Sequence, residues 1–213
     1  MNYFSRISAL GAVLVLTTAF ASADSVQLGS YGTGDASLGN QNGALVYAGQ
    51  PSKTYDIGTG GVWTTPVHDS SWVSQNAQSF PGGSYVAPNG TYTYSTTFTL
   101  SSANYAGSIW VMADDTTDVY LNNHLVQTDA LGGNSTCQDL QPNCLTPLLV
   151  ELPYGDFKVG LNTLTFGVEQ TNGAAEGVDF GGSISSTPEP SSLILLGTGL
   201  IGSAGALFRR KRA

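Results

Sequence analysis

The chain has 213 residues, a formal charge of −8, 27 glycines, and charged residues at only 10% of positions. Five of the seven basic residues, Arg6, Arg209, Arg210, Lys211 and Arg212, lie near the two ends. Between them Lys53 and Lys158 face fourteen acids, so the central body carries −12, contains no arginine, and repels nucleic acid and anionic lipid while attracting divalent cations.

At the N-terminus a short polar start containing Arg6 is followed by an uncharged, largely apolar run from Ile7 to Phe20. Ala21, Ser22 and Ala23 then put small residues where a signal peptidase reads. This order predicts a Sec-type signal peptide cut after Ala23, within an export precursor. The body that follows, 24–186, is long enough for one domain with a real core.

Short strands separated by Gly-rich turns are predicted through this body. Val26–Leu28, Ala44–Tyr47 and Val62–Thr64 come first. In YTYSTTFTL, Tyr92, Tyr94, Thr96, Phe98 and Leu100 alternate with polar residues, the period of a half-buried antiparallel strand. Ile109–Ala113 is apolar throughout and reads as an interior strand, with Trp110 in the core. Val119–Leu121 and Leu125–Val126 flank Asn122-Asn123, residues that tolerate positive φ, which predicts a tight hairpin. Leu164, Phe166 and Val168 alternate again, and Val178, Phe180 and Ile184 close the series. No window has a 3.6-residue period, so the expected fold class is all-β, a two-sheet sandwich.

Cys137 and Cys144 enclose QDLQPN. A closely spaced pair in an exported chain predicts a disulfide, worth about 2–3 kcal/mol for so short a loop. The spacing is wrong for a redox CxxC or a zinc pair.

GVWTTP, SSWVS, YTYSTTFTL, IWVMADDTTDVYLNN, GDFKVGLNTLTFGVEQT and GVDFGG, in that order, resemble a bacterial galactose-binding-like jelly-roll domain. Asn123 stands where that pattern usually has Gly. The resemblance covers about Trp63 to Phe180 and implies a jelly-roll-like sandwich of the kind found in extracellular carbohydrate-binding modules. It speaks for fold more than for ligand.

Trp72, beside Ser70, Ser71 and Ser74, and Trp63 are candidates either to stack on a sugar ring or to pack in the core. Asn122, Asn123 and His124 offer hydrogen bonds at a hairpin tip or serve turn geometry alone. Asp114, Asp115 and Asp118 crowd one turn, with Glu176 and Asp179 able to approach; they form either a calcium site or a set of turn caps. No catalytic residue is assigned: G-x-S-x-G and H-E-x-x-H do not occur, and His68 and His124 lack metal-ligand spacing. A pair of glycosidase carboxylates from distant strands is the remaining catalytic alternative.

The chain closes with Pro188-Glu189-Pro190, an 18-residue uncharged stretch from Ser191 to Phe208, and the basic run 209–212. That stretch reaches the lower limit for crossing a bilayer, and its basic end should stay cytoplasmic. Together these parts resemble the PEP-CTERM sorting signal of Gram-negative bacteria. The resemblance implies recognition by an exosortase, transient membrane anchoring, cleavage near Pro-Glu-Pro, and delivery to the cell surface or matrix. The expectation is an exported non-catalytic protein that associates with extracellular polysaccharide. A purely structural matrix protein and a small glycan-active enzyme are the alternatives.

Overall fold

The computed structural model describes residues 23–33, 44–47, 53–130, 140–171, 173–186 and 197–202. The signal-peptide residues, Ala21 included, lie outside them, as do Pro188, Glu189, Pro190, Cys137 and Arg209, Arg210, Lys211 and Arg212; Ala23 is an exposed coil residue at the first described position.

Twelve strands occur among the described residues: β1 (Ser25–Gly29), β2 (Tyr31–Gly32), β3 (Ala44–Tyr47), β4 (Tyr55–Asp56), β5 (Val73–Ser74), β6 (Gly90–Leu100), β7 (Tyr105–Asp114), β8 (Thr116–Leu121), β9 (His124–Gln127), β10 (Leu148–Leu152), β11 (Gly160–Gln170) and β12 (Gly177–Ser186). They form two six-stranded sheets. The first runs β10-β7-β12-β5-β4, with β1 also paired to β12; the second runs β2-β3-β6-β11-β8-β9. The result is the expected all-β, sandwich-like arrangement.

Alternation along the long strands builds the core. Tyr94, Phe98, Leu100, Leu164, Phe166 and Val168 from the second sheet meet Ile109, Val111, Ala113, Val150, Phe180 and Ile184 from the first. Phe166 and Phe180 stack at 4.7 Å between ring centroids, one ring from each sheet. Removing side chains of this size from water is the main term holding the sheets together.

The first sheet has a second apolar layer on its outer face. Met112 falls between Val111 and Ala113 and therefore points away from the core. It packs with Ile57, Trp63, Trp72 and Cys144, all from loops that lie across the sheet. Val62–Thr64, expected as a strand, is part of this loop cover: Trp63 is buried against a sheet face while Val62 is exposed, and the segment needs no ladder partner. Conversely, β4, β5 and β2 are too short to show a period.

Residues 197–202 are helical, and no helix among the described residues is long and apolar enough to cross a membrane. The expected span 191–208 falls largely outside the described residues.

Candidate functional site

The outward positions of β12 explain how the covering loop is held. Gly177, Asp179 and Gly181 share that face. A Cβ on Gly177 would stand 3.0 Å from Trp63 and 3.1 Å from Ile57. One on Gly181 would stand 2.8 Å from both the His68 carbonyl oxygen and Val67 Cγ2, so only glycine lets the chain lie this close. Asp179, between them, is the anchor: the Val67 amide donates to its Oδ2 at 2.8 Å and the Ser30 hydroxyl is 3.0 Å from its Oδ1. Ser30 is tied to the same loop through the Ser71 amide, which donates to its carbonyl at 2.9 Å. Burial pushes Asp179 up to about 6, against the opposing pull of Ser70, the Val67 amide and Ser30.

Where this cover ends, Trp110 emerges. It alternates with Ile109 and Val111 and so faces outward, and it is 46% exposed. The expectation that it sits in the core is corrected: a run apolar on both faces reflects two different burials, the sandwich core for Ile109 and Val111 and the loop layer for Met112. Trp110 lies opposite Gly181 on one side and Leu149 on the other. Gln27, Leu28, His68, Asp69, Trp110, Gly181, Gly182 and Ser183 line a groove of about 140 Å³. At its rim His68 Nδ1 is 2.8 Å from Asp69 Oδ2, and Asp69 adopts φ 58° to make the turn. An aromatic face beside an amide, a carboxylate and a hydroxyl is a donor and acceptor set suited to a polyhydroxylated ring.

The tryptophans singled out from the sequence are placed otherwise. Trp72 is wholly buried and Trp63 is 5% exposed; they stack on each other at 4.2 Å, so neither offers a face to a ligand. Trp72 Nε1 donates to the Thr64 carbonyl and Trp63 Nε1 to Asp114 Oδ2. Asn122 and Asn123 make the hairpin turn at φ 52° and 71°. The Asn122 amide is spent internally, donating to the Asp156 carbonyl and Asn162 and accepting from the Thr163 amide. His124 is exposed, with Nδ1 3.0 Å from Asp156. None of these three lines the Trp110 groove.

Asp114, Asp115 and Asp118 do not converge. Asp115 accepts from the Thr171 amide and hydroxyl at 2.8 and 2.6 Å, while Asp118 accepts from Tyr120 and from the Asp129 amide. Asp114 Oδ1 has no hydrogen-bond partner. Burial first, then the neighbouring Asp115, push Asp114 up to about 9. Among the described residues no three His, Cys, Asp or Glu side chains form a group able to hold a metal. These residues do not gather as the expected calcium site would require, and the partners of Asp114 and Asp115, Trp63 and Thr171, come from distant segments, whereas Asp118 accepts locally from Tyr120.

Glu176 is buried without a cation. Tyr94 donates to its Oε1 at 2.5 Å and Ser74 to its Oε2 at 2.9 Å. Burial pushes it up to about 7, against these two donors. Cys144 is buried in the loop layer and no described cysteine is free; Cys137, its expected disulfide partner, lies outside the described residues.

Residues 186–212 match the PEP-CTERM protein-sorting motif. A search of curated proteins finds no match. Among solved structures, a family 35 carbohydrate binding module from Clostridium thermocellum aligns with 78% of this chain and 100% of its own at 12% identity, with a TM-score of 0.36.

Proposed function

We propose that this is an exported, non-catalytic protein that an exosortase sorts and that associates with extracellular polysaccharide through the Trp110 groove. The carrying observation is the half-exposed Trp110 face flanked by Gln27, Asp69 and Ser183. The groove is small beside the roughly 300–1,000 Å³ of small-molecule cavities, which suits one ring of a longer chain and weak binding repeated along a polymer. A non-catalytic role is supported by the most perturbed carboxylates, Asp114, Glu176 and Asp179. All are buried and bonded to protein donors, so none can reach a substrate.

Export is supported by the sorting motif at 186–212 together with the signal peptide read from residues 1–23. The precursor is then membrane-anchored through 191–208 until cleavage near Pro188–Pro190, and the Cys137–Cys144 disulfide closes in the oxidising compartment beyond. A glycan array probed with the wild-type protein and with Trp110→Ala tests the binding role. Retention of glycan by the wild type and its loss in the variant is expected. Equal retention by both, or none by the wild type, would refute it.

A further inference from the structure

We infer that the groove selects glycans without acidic groups, so that uronate-bearing and sulfated polymers are rejected. This rests on the groove being a glycan site and adds the class of sugar it takes.

The reasoning starts from the charges that can reach the groove. Its one acidic lining residue is Asp69, whose side chain is 62% exposed. The imidazole beside it, His68, already has Nδ1 2.8 Å from that carboxylate. On the neighbouring cross-strand row, Glu151 on β10, Ser108 on β7 and Ser183 on β12 lie side by side, and these positions face outward like Trp110. Glu151 is exposed there, so a second negative charge borders the path that a polymer crossing the strands would follow.

The body brings no lysine or arginine to the groove to offset them. It has no arginine, and its two lysines are elsewhere. Lys53 precedes β4, and Lys158 precedes β11 in the opposite sheet, where Asn162 holds its backbone amide and carbonyl. A sugar carboxylate stacked over Trp110 would meet Asp69 and Glu151 with the His68 imidazole, the Gln27 amide and the Ser183 hydroxyl, and no lysine or arginine, on its side. Charged ligands of this kind are normally met by a bidentate arginine or by a metal ion. An uncharged ring has no such requirement: its hydroxyls donate to Asp69 and accept from Gln27 and Ser183 while its C–H face covers the indole.

Because the groove is open to solvent, the repulsion acts through a high dielectric and is screened by salt. This gives the inference a signature that shape selection lacks. The test is retention of the purified protein on immobilised neutral glucan, galactan and mannan and on alginate, at about 10 mM and about 500 mM salt, a range over which the screening length drops from ~30 Å to a few Å. Retention on at least one neutral polymer is expected, with at least fivefold weaker retention on alginate at low salt that narrows at high salt. Asp69→Asn should raise the alginate-to-neutral ratio several-fold at low salt, and asparagine tolerates the positive φ at this position. Retention on alginate equal to that on neutral polymers at low salt would overturn the inference while leaving the groove as a glycan site, provided Trp110→Ala abolishes both. Undiminished retention by a folded Trp110→Ala would overturn both readings together.

Discussion

Three buried carboxylates without a cation make the fold more stable in acid than in base. Burial pushes Glu176 up to about 7 from an ordinary 4.5, Asp179 up to about 6 from 3.8, and Asp114 up to about 9 from 3.8. Each binds its proton more tightly in the folded chain than in the unfolded one. Folding therefore takes up protons, and this contribution is fully present below pH 4 and is lost as pH rises through 6, 7 and 9. Between pH 5 and pH 8 the difference in proton affinity is worth about 2–3 kcal/mol at Glu176 and about 1–2 kcal/mol at Asp179, at ~1.36 kcal/mol per pH unit of differential titration. Their sum, about 4 kcal/mol, is a large share of the ~5–15 kcal/mol typical of a domain, and Asp114 acts in the same direction.

Urea unfolding of the purified protein at pH 5, 6, 7 and 8 reads this directly. With a slope of ~2 kcal/mol per molar urea, the midpoint should fall by one to two molar from pH 5 to pH 8. Glu176→Gln isolates one group. Its amide can still accept from Tyr94 and donate to Ser74, so it copies the protonated acid. The stability gap between this variant and the wild type should widen by about 2 kcal/mol from pH 5 to pH 8. A midpoint that rises with pH, or a gap that stays constant, would refute the reasoning.

The tryptophans should separate into two classes. Trp72→Ala, fully buried, is expected to cost about 3–5 kcal/mol in urea unfolding, whereas Trp110→Ala, half-exposed, should cost less than about 1 kcal/mol. Gly181→Ala places a methyl 2.8 Å from the His68 carbonyl, so it should destabilise by about 1–3 kcal/mol and weaken glycan retention, because the rim of the groove is lifted. Asp179→Ala removes the acceptor of the Val67 amide and should speed hydrogen exchange at Val67 well beyond that of the core strands. Mass spectrometry of the exported protein should give a chain beginning near Asp24 and ending near Pro188–Pro190; a mature chain that retains Arg212 would refute cleavage at the sorting motif.

The long strands were legible because each buries one face against the sandwich core, which imprints a period of two. YTYSTTFTL and LNTLTFGVEQ show it, and Gly90–Leu100 and Gly160–Gln170 follow. The Asn122-Asn123 turn was legible for a local reason, its two positive φ angles. Legibility failed where burial is supplied by a loop. Trp63 and Trp72 lie in segments rich in Gly, Ser and Thr, so their sequence looks like exposed turns, yet each is sealed against the outside of a sheet. Trp110, in the most apolar run of the body, looks like core and is half-exposed because the loop layer stops short of it. The signal that distinguishes them is in GVDFGG. Outward glycines at 177 and 181 flank a buried Asp179, a pattern that makes room for a chain crossing the sheet and tethers it there.

That pattern joins stability to the proposed recognition. Asp179 holds the loop carrying His68 and Asp69, so the group that helps make the fold pH-dependent also positions the rim of the groove. Burial pushes Asp114 and Glu176 toward their neutral forms, which makes the body's effective charge less negative than its formal −12. The field at Trp110 is then set by acids that solvent reaches, Asp69 and Glu151 foremost, since the buried ones are largely neutral or locked in hydrogen bonds. Discrimination against acidic glycans should accordingly persist from pH 7 to pH 8, while stability continues to fall. Asp179 serves both properties, whereas Asp69 acts on selectivity and Glu176 on stability, so Asp69→Asn and Glu176→Gln should each alter one property and leave the other in place.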